Sequence, residues 1–449
     1  MRDGSADGGR AGDAPAGKAT VDLDRLASAL TGQDPAGELT RPGPGDAVDG
    51  VPALAVARPA SVAGVSAVLA EATSQGLATV ARGAGTALDW AAPPERADLI
   101  LDVTGLGRLV EHGAGDLVAV AEAGLPVVEL LETVGRVGQE LVADLPPRRL
   151  GGGATVGGAL ATGVSGPRRL QRGALRDLVL GATVVLADGT VASSGGKVVK
   201  NVAGYDLAKL MTGSYGTLGV IVRAAFRLHP VRPARRWVVA TGPLPDVAGR
   251  AREVVASQLA PAAVEIDRPA WSREAGVAVL LEGQEAAVVP RAREAAALTG
   301  GEIRTVPPAW WGVLPDDDGA GAVPSAGADR TVLAKATATL TGVGGLLAAA
   351  RAAEDTRGAG VAVRGSAAGV LYVAIGGRDP AAVAGVVREL RAVAPSPRDG
   401  TVTVLRAPRD VREAVDAWGP VGGLDLMRAV KRRLDPGRNL APGRFVGGI

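Results

Sequence analysis

The sequence predicts an α+β protein in which a glycine-rich, ligand-holding first part is followed by an antiparallel sheet covered by helices. Two observations carry this. Residues 149–219 are dense in glycine, yet the glycines alternate with regular apolar strands and one hairpin, the signature of backbone folded tightly around a ligand rather than of a linker. From about residue 235 the texture changes to regular alternation, and the order β-α-β-β-α-β is written twice. With 449 residues, 47% of them hydrophobic, the chain exceeds one core, so two or three domains are expected.

The elements follow in chain order. Residues 1–40 read as a disordered tail with a short helix over 21–30, and the Pro/Gly-rich 40–50 as a linker. A strand, a helix over 61–75 with Val62, Val65, Val68 and Leu69 on one face, and a strand over 78–81 lead into a tight turn at Arg82 to Thr86. Strands are predicted near 99–103 and 117–122, then a helix opened by Pro126. Within the glycine stretch come a small-residue helix over 155–163, a hairpin turned at Asp188-Gly189 (Asp-Gly being a type I′ signal), a short helix over 205–211 and a strand over 218–228.

The second part reads as strand 236–240, helix 244–259, strands 263–266 and 276–282, helix 285–299 and strand 302–305. An irregular insertion, 307–329, precedes strand 331–337, helix 342–355, strands 360–364 and 369–376, helix 380–394 and strand 401–406. A last helix with Met427, Val430 and Leu434 inward stops at Asp435-Pro436-Gly437, and the apolar tail beyond it is expected to dock.

Composition excludes several classes. Aromatics are only 2%, too few for a base-stacking platform, and the net charge is +2 despite a pI near 9.1, so no basic patch for nucleic acid is implied. With no cysteine there is no disulfide, thiolate metal site, iron–sulfur ligand or cysteinyl cofactor bond. No apolar run reaches bilayer length, and the N-terminus lacks a signal core, which fits a cytoplasmic location.

Arg82-Gly83-Ala84-Gly85-Thr86 follows a strand, so consecutive N–H groups can point at one anion; an ordinary β-turn has the same signature, and the later glycine stretch tips the reading toward ligand contact. Gly151-Gly152-Gly153-Ala154-Thr155-Val156-Gly157-Gly158 is not a dinucleotide fingerprint, since Val156 stands where a glycine is needed. Gly12 to Lys18 is followed by Ala19, and Gly196-Lys197 has Val191 in place of the first glycine, so neither is a P-loop. Among Arg168, Arg169, Arg172 and Arg176, one would suit a diphosphate, while each alone also fits a solvated basic face. His112 and His229 sit in unlike contexts and read as structural, with no metal site implied.

These motifs, with Lys200-Asn201-Val202-Ala203-Gly204-Tyr205-Asp206-Leu207 and Gly213-Ser214-x-Gly216-Thr217-Leu218-Gly219, resemble the FAD-binding domain of the vanillyl-alcohol oxidase/PCMH-type flavoprotein superfamily. Gly163-Val164-Ser165-Gly166-Pro167-Arg168-Arg169 and the ending Asp435-Pro436-Gly437…Pro442-Gly443-Arg444-Phe445 resemble the FAD-binding subunit of bacterial glycolate oxidase. The resemblance implies a two-subdomain FAD-binding domain (41–231), an antiparallel-sheet α+β cap (232–406) and a C-terminal segment (407–449) returning to the FAD domain. It implies that Arg82, Gly83, Ala84, Gly85 and Thr86 contact the FAD diphosphate. Gly151, Gly152, Thr155, Val156, Gly157, Gly158 and Ser165 would line flavin and diphosphate, with Arg172 nearby and the backbone of Gly219, Val220 and Ile221 approaching.

Departures from the pattern carry equal weight. FAD is expected to be non-covalent, since no histidine accompanies Thr86 and the chain has no cysteine. Catalytic 2-hydroxy-acid dehydrogenases of this superfamily carry cap histidines and a Glu-His-Gly segment. Here no histidine lies beyond 230, and Trp418-Gly419-Pro420 stands where Glu-His-Gly is expected. Oxidising a hydroxy acid needs a base for the hydroxyl proton, and the sequence offers only Lys200, which equally fits a helix-flanking or phosphate-facing cation. The resemblance thus implies a relay or accessory flavoprotein, partnered by a catalytic FAD subunit and an iron–sulfur subunit acting on glycolate or D-lactate, with membrane association only through partners. A stand-alone FAD oxidoreductase with a non-histidine base, or a structural subunit that has lost FAD, are the alternatives.

Overall fold

The computed structural model describes residues 21–196, 206–317, 331–394, 396 and 398–449. Lys200 and the motif around it lie outside the described residues.

The first layer is a four-stranded sheet in the order Glu38–Thr40, Ala55–Arg58, Leu99–Asp102, Thr79–Arg82, with its last three strands parallel. Parallel strands are buried on both faces, and Ala55, Ala57, Leu99 and Leu101 are fully buried. Helix Val62–Ser74 covers the sheet; Ser61 caps it, its hydroxyl accepting from the Gly64 amide, and Val65, Val68 and Leu69 face the core. The segment 40–50 is not a free linker. It forms the pairing Ala47–Val48 with Val51–Pro52 and places Asp46 and Asp49 in ion pairs with Arg82 and Arg412.

A five-stranded antiparallel sheet follows, in the order Val191–Gly195, Val179–Val185, Val220–Arg227, Val118–Glu122, Leu109–Gly113. The hairpin between its first two strands differs from the type I′ expectation. Gly189 has φ +86° while Asp188 stays out of the left-handed region, and the Leu186 amide bonds the Thr190 carbonyl across a longer loop. Tertiary packing sets this loop: Ser66 Oγ donates to the Gly189 carbonyl at 2.5 Å and Thr73 Oγ1 to that of Ala187, pinning the turn on helix Val62–Ser74.

The cap is one eight-stranded antiparallel sheet. Its halves, Ala234–Pro243 to Glu302–Arg304 and Thr331–Ala338 to Gly400–Arg406, each run β-α-β-β-α-β and meet where Ala263–Arg268 pairs with Gly360–Ser366. Helices Leu244–Ala256, Glu285–Thr299, Val343–Arg357 and Pro380–Val393 cover one face over Val264, Ile266, Val277, Val361 and Val373. Strand alternation turns the other set toward the first part of the chain: Glu265, Asp267, Leu280, Arg364, Tyr372, Leu333 and Lys335.

Helix Leu424–Leu434 keeps Met427, Val430 and Leu434 only half-buried, and its buried residue is a cation. Lys431 Nζ donates to the carbonyls of Thr217 (2.7 Å) and Leu440 (2.9 Å) and to Asp435 (2.6 Å). Asp435 in turn accepts the amides of Asn439 and Leu440. The chain then runs beside the four-stranded sheet, the Thr79 amide donating to the Asn439 carbonyl and the Ala441 amide to that of Thr79.

Candidate functional site

A cleft opens at the carboxyl end of strand Thr79–Arg82. Its walls are the turn from Arg82 to Leu88, Thr155, Gly158 and Thr162 of the small-residue helix, and Arg149, Tyr215 and Arg444. The turn is shaped by close approach: a Cβ at Gly83 would lie 2.2 Å from Thr155 Oγ1. The Arg82 guanidinium does not reach into the cleft, because Asp46 and Asp102 hold it, the latter at 2.8 Å. Hydrogen bonding to Arg82 keeps the Asp46 carboxyl below its usual range. The turn therefore offers backbone: among the described residues, the amides of Gly83, Ala84, Gly85, Thr86 and Ala87 donate to no protein acceptor. Gly83, Thr86 and Ala87 are half-buried while Ala84 and Gly85 are exposed, so the turn forms a row of backbone donors at the mouth of the cleft that is open to an anionic acceptor.

Two arginines that sequence reasoning missed add to this. Arg149 lies over the Trp90 ring, 3.8 Å from its centroid, and bonds the Thr86 carbonyl, while its Nε is buried without a partner. Arg444 donates to the carbonyls of Leu88 (3.1 Å) and Trp90 (2.7 Å), leaving a buried Nη1 unpaired. Burial lowers the pKa of both. Five free amides and two under-satisfied guanidinium groups suit a diphosphate. The donor set fits FAD.

A second cavity, about 380 Å³, lies between this part of the chain and the cap, lined by Ser165, Gly166, Pro167, Arg169, Glu265, Leu314, Arg364 and Tyr372 among others. The two cavities adjoin along the chain: Leu145 and Val164 line the first, and the next residues, Pro146 and Ser165, line the second. Residues 312–314, the start of the insertion, floor the second cavity, held by Arg364 Nη1 on the Val313 (3.3 Å) and Leu314 (3.4 Å) carbonyls.

The structure brings together Arg82, Gly83, Ala84, Gly85, Thr86, Thr155 and Gly158 in the first cleft and places Ser165 in the second, where its hydroxyl accepts the Leu175 amide at 2.7 Å. The other expected residues line neither cavity. Val156 is core, and Gly157 is a packing glycine, since its Cβ would meet that of Ala123 at 2.8 Å. Gly151 and Gly152 end the short helix Pro147–Gly151 behind the turn. Val220 and Ile221 are buried in the sheet, Ile221 opposite Val184, with Gly219 just before them against the carbonyl of Val185. The charges that act on Arg172 are Arg232, Glu282, Glu140 and Arg168, none of which lines the first cleft. Of the neighbours of Arg172, Arg168 pairs with Asp144 (2.6 Å) and Glu140 (2.8 Å) in its own part of the chain and reaches the cap at Glu282 (3.4 Å).

Both histidines are remote from the cavities. His112 Nε2 pairs with Gln139 Oε1 at 2.9 Å, and His229 has its pKa lowered to about 4 by burial and then by Arg172. Trp418, in the segment where Glu-His-Gly was expected, packs edge-on against Phe445 and Tyr215, with ring centroids at 4.6 and 5.8 Å.

Comparison with known proteins defines the class first. Residues 53–195 match the family described as FAD binding domain. The chain superimposes on p-cresol methylhydroxylase with substrate bound at TM-score 0.67 and 16% identity, covering 94% of this chain and 93% of that one. It superimposes on Physcomitrella patens BBE-like 1 at TM-score 0.63 and 14% identity, covering 92% and 97%. The fold is the PCMH-type flavoprotein fold that the motifs implied, and FAD is the cofactor this domain is built to hold.

Particular relatives then narrow the field. D-lactate dehydrogenase of Archaeoglobus fulgidus is 38% identical over 175 residues, covering 39% of this chain and 38% of its own. Glycolate oxidase subunit GlcD of Bacillus subtilis is 30% identical over 217 residues, covering 48% and 46%. Glycolate oxidase subunit GlcE of Escherichia coli K12 is 41% identical over 130 residues, covering 29% and 37%. The chain spans less than half the length of each of these curated relatives. Among the described residues no helix is long and apolar enough to cross a membrane.

Proposed function

We propose that this protein is an FAD-dependent oxidoreductase acting on a small 2-hydroxy acid such as glycolate or D-lactate, as the flavin-holding subunit of a glycolate oxidase-like complex. The observation that carries the reading is the row of five unpartnered amides from Gly83 to Ala87 facing the unpaired donors of Arg149 and Arg444. These groups hold the FAD diphosphate, and Thr155 and Gly158 close the cleft beside it. Bound FAD supplies a two-electron hydride acceptor. A relative named glycolate oxidase subunit GlcE and two others named for D-lactate dehydrogenase and glycolate oxidase support the substrate class. The partners on this reading are a catalytic flavoprotein and an iron–sulfur protein.

The test is purification from the native host with a flavin spectrum and identification of bound proteins, followed by anaerobic mixing with glycolate and D-lactate. A yellow protein that brings down an iron–sulfur protein and is bleached by either acid bears the reading out. A colourless protein that does not take up added FAD sinks it.

A second reading, in which this chain turns over by itself, is favoured by the polar inner face of the cap. Glu265, Arg364, Tyr372 and Arg169 converge on a cavity beside the FAD cleft, a set of groups that a purely structural partner does not need.

A further inference from the structure

A buried carboxyl and a half-buried guanidinium line the second cavity without pairing. Glu265 is 5% exposed, and its Oε1 is buried with no hydrogen-bond partner. Arg169 opens the helix Arg169–Arg172, which packs on strand Ala263–Arg268; its Nε is likewise buried without a partner, and it makes no ion pair among the described residues. Both line the same cavity. An unpaired buried carboxylate costs several kcal/mol by rough estimate. Nearby acids show what satisfied partners look like: Asp267 takes Arg364 Nε at 2.7 Å, and Asp144 takes Arg168 at 2.6 Å. Glu265 and Arg169 are thus held apart by a space that suits a molecule with an anionic end for one and a proton-bearing oxygen for the other.

We propose that Glu265 is the proton acceptor for the hydroxyl of a small 2-hydroxy acid whose carboxylate is bound by Arg169. This rests on the oxidoreductase reading above and supplies the base that the histidine-free cap lacks. The bonds balance. The O–H proton passes to the Glu265 carboxylate, the C–H bond of the carbinol carbon breaks with its pair leaving as hydride to the flavin, and the carbinol becomes the carbonyl of a 2-oxo acid. The substrate is oxidised by two electrons and the flavin reduced by two.

Other charges shape the proton affinity of Glu265. Arg169 acts on it from the helix Arg169–Arg172, Arg364 from the neighbouring strand, Asp144 from the loop before helix Pro147–Gly151 and Tyr372 from the next strand. Lys335 lies on the same face, three strands along, and also senses Arg169. Burial dominates and lifts the Glu265 carboxyl to about 8, opposed by Arg169 and Arg364 and reinforced by Asp144. The acceptor form gains population as pH rises, so hydride transfer rises with pH through that region.

The experiment uses the full chain loaded with FAD, as wild type, Glu265→Gln, Glu265→Asp and Arg169→Met. Anaerobic flavin reduction by glycolate and D-lactate is followed across pH, beside FAD titrations and infrared difference spectra of protonated carboxyl groups. Glu265→Gln is expected to slow reduction by about a hundredfold or more, with FAD affinity unchanged and the pH rise abolished. Glu265→Asp restores part of the rate, and Arg169→Met raises the acid concentration needed for bleaching. The infrared band of a protonated carboxyl that titrates near pH 8 disappears in Glu265→Gln. A wild type bleached by these acids alongside an equally fast Gln variant overturns this assignment alone, as does a wild type without that band. A wild type that no 2-hydroxy acid bleaches overturns the functional reading itself.

Discussion

The two cavities are built from different parts of the polypeptide. The cleft proposed for FAD is built mainly on backbone: the turn from Gly83 to Ala87 presents amides, and the turn's one arginine, Arg82, is spent on Asp46 and Asp102. The cap cavity is made of side chains on one face of a sheet, Glu265, Arg364 and Tyr372, opposed by Arg169. Backbone recognition fixes where the chain must lack a Cβ and tolerates change in what the side chains carry. Side-chain recognition leaves the backbone free and depends on a few charged groups being correct. The two regions should therefore break in different ways.

The largest effect is expected from Gly83→Ala, which drives a methyl into Thr155 Oγ1. The purified protein should lose its flavin colour, whereas Gly115→Ala, whose methyl meets nothing within 4 Å, keeps it. Retention of FAD by Gly83→Ala would show that the cleft does not depend on that approach.

Next are two buried acids of the cap with opposite fates. Glu354 is fully buried but satisfied, accepting from Arg268 and from the amides of Trp271 and Val361, each at 2.8 Å. Glu354→Ala strands Arg268 and should cost about 3–5 kcal/mol in denaturant unfolding. Glu265 has no such partners, and its folded pKa of about 8 exceeds the ordinary 4.5. Below 4.5 both states hold the proton; between 4.5 and about 8 the unfolded chain gives it up while the folded one keeps it, so stability falls as pH rises. Glu265→Gln removes that loss and should be the more stable protein at pH 8 by roughly a few kcal/mol. A wild-type stability curve that runs parallel to that of the Gln variant would refute the unpaired burial of Glu265.

The smallest effect separates side chain from backbone within the FAD cleft. Arg444→Ala removes donors to Leu88, Trp90 and the ligand, and should weaken FAD binding by about 1–3 kcal/mol. That is roughly ten- to a hundredfold, read by flavin titration. A loss as complete as that of Gly83→Ala would mean that this cleft too is run by its side chains.

Legibility in the sequence follows the same division. The turn at Arg82 to Thr86 could be read because close approach leaves glycines at fixed places. Helix Glu285–Thr299 and the twice-written cap order could be read because each half repeats a local period. Gly157 shows why a glycine signal is ambiguous: close packing against Ala123 demands a small residue there as strongly as a ligand would. The Asp-Gly hairpin was misjudged in turn type because contacts with Ser66 and Thr73, more than a hundred residues earlier in the chain, choose its loop. Glu265 carried no motif at all, and Arg149 and Arg444 stood at the edge of glycine-rich motifs that said nothing of where their side chains go.

By itself the sequence determined the order of elements, the α+β class, the glycine turn and the absence of histidine beyond Pro230, since each is local or compositional. The tertiary structure alone decided that Arg444 reaches the cleft from the far end of the chain and that Arg169 and Glu265 meet across the cap. Strand alternation says only that Glu265 leaves the helix-covered face. What it then meets is set by how two separately folded layers pack, and no local period in the chain encodes that.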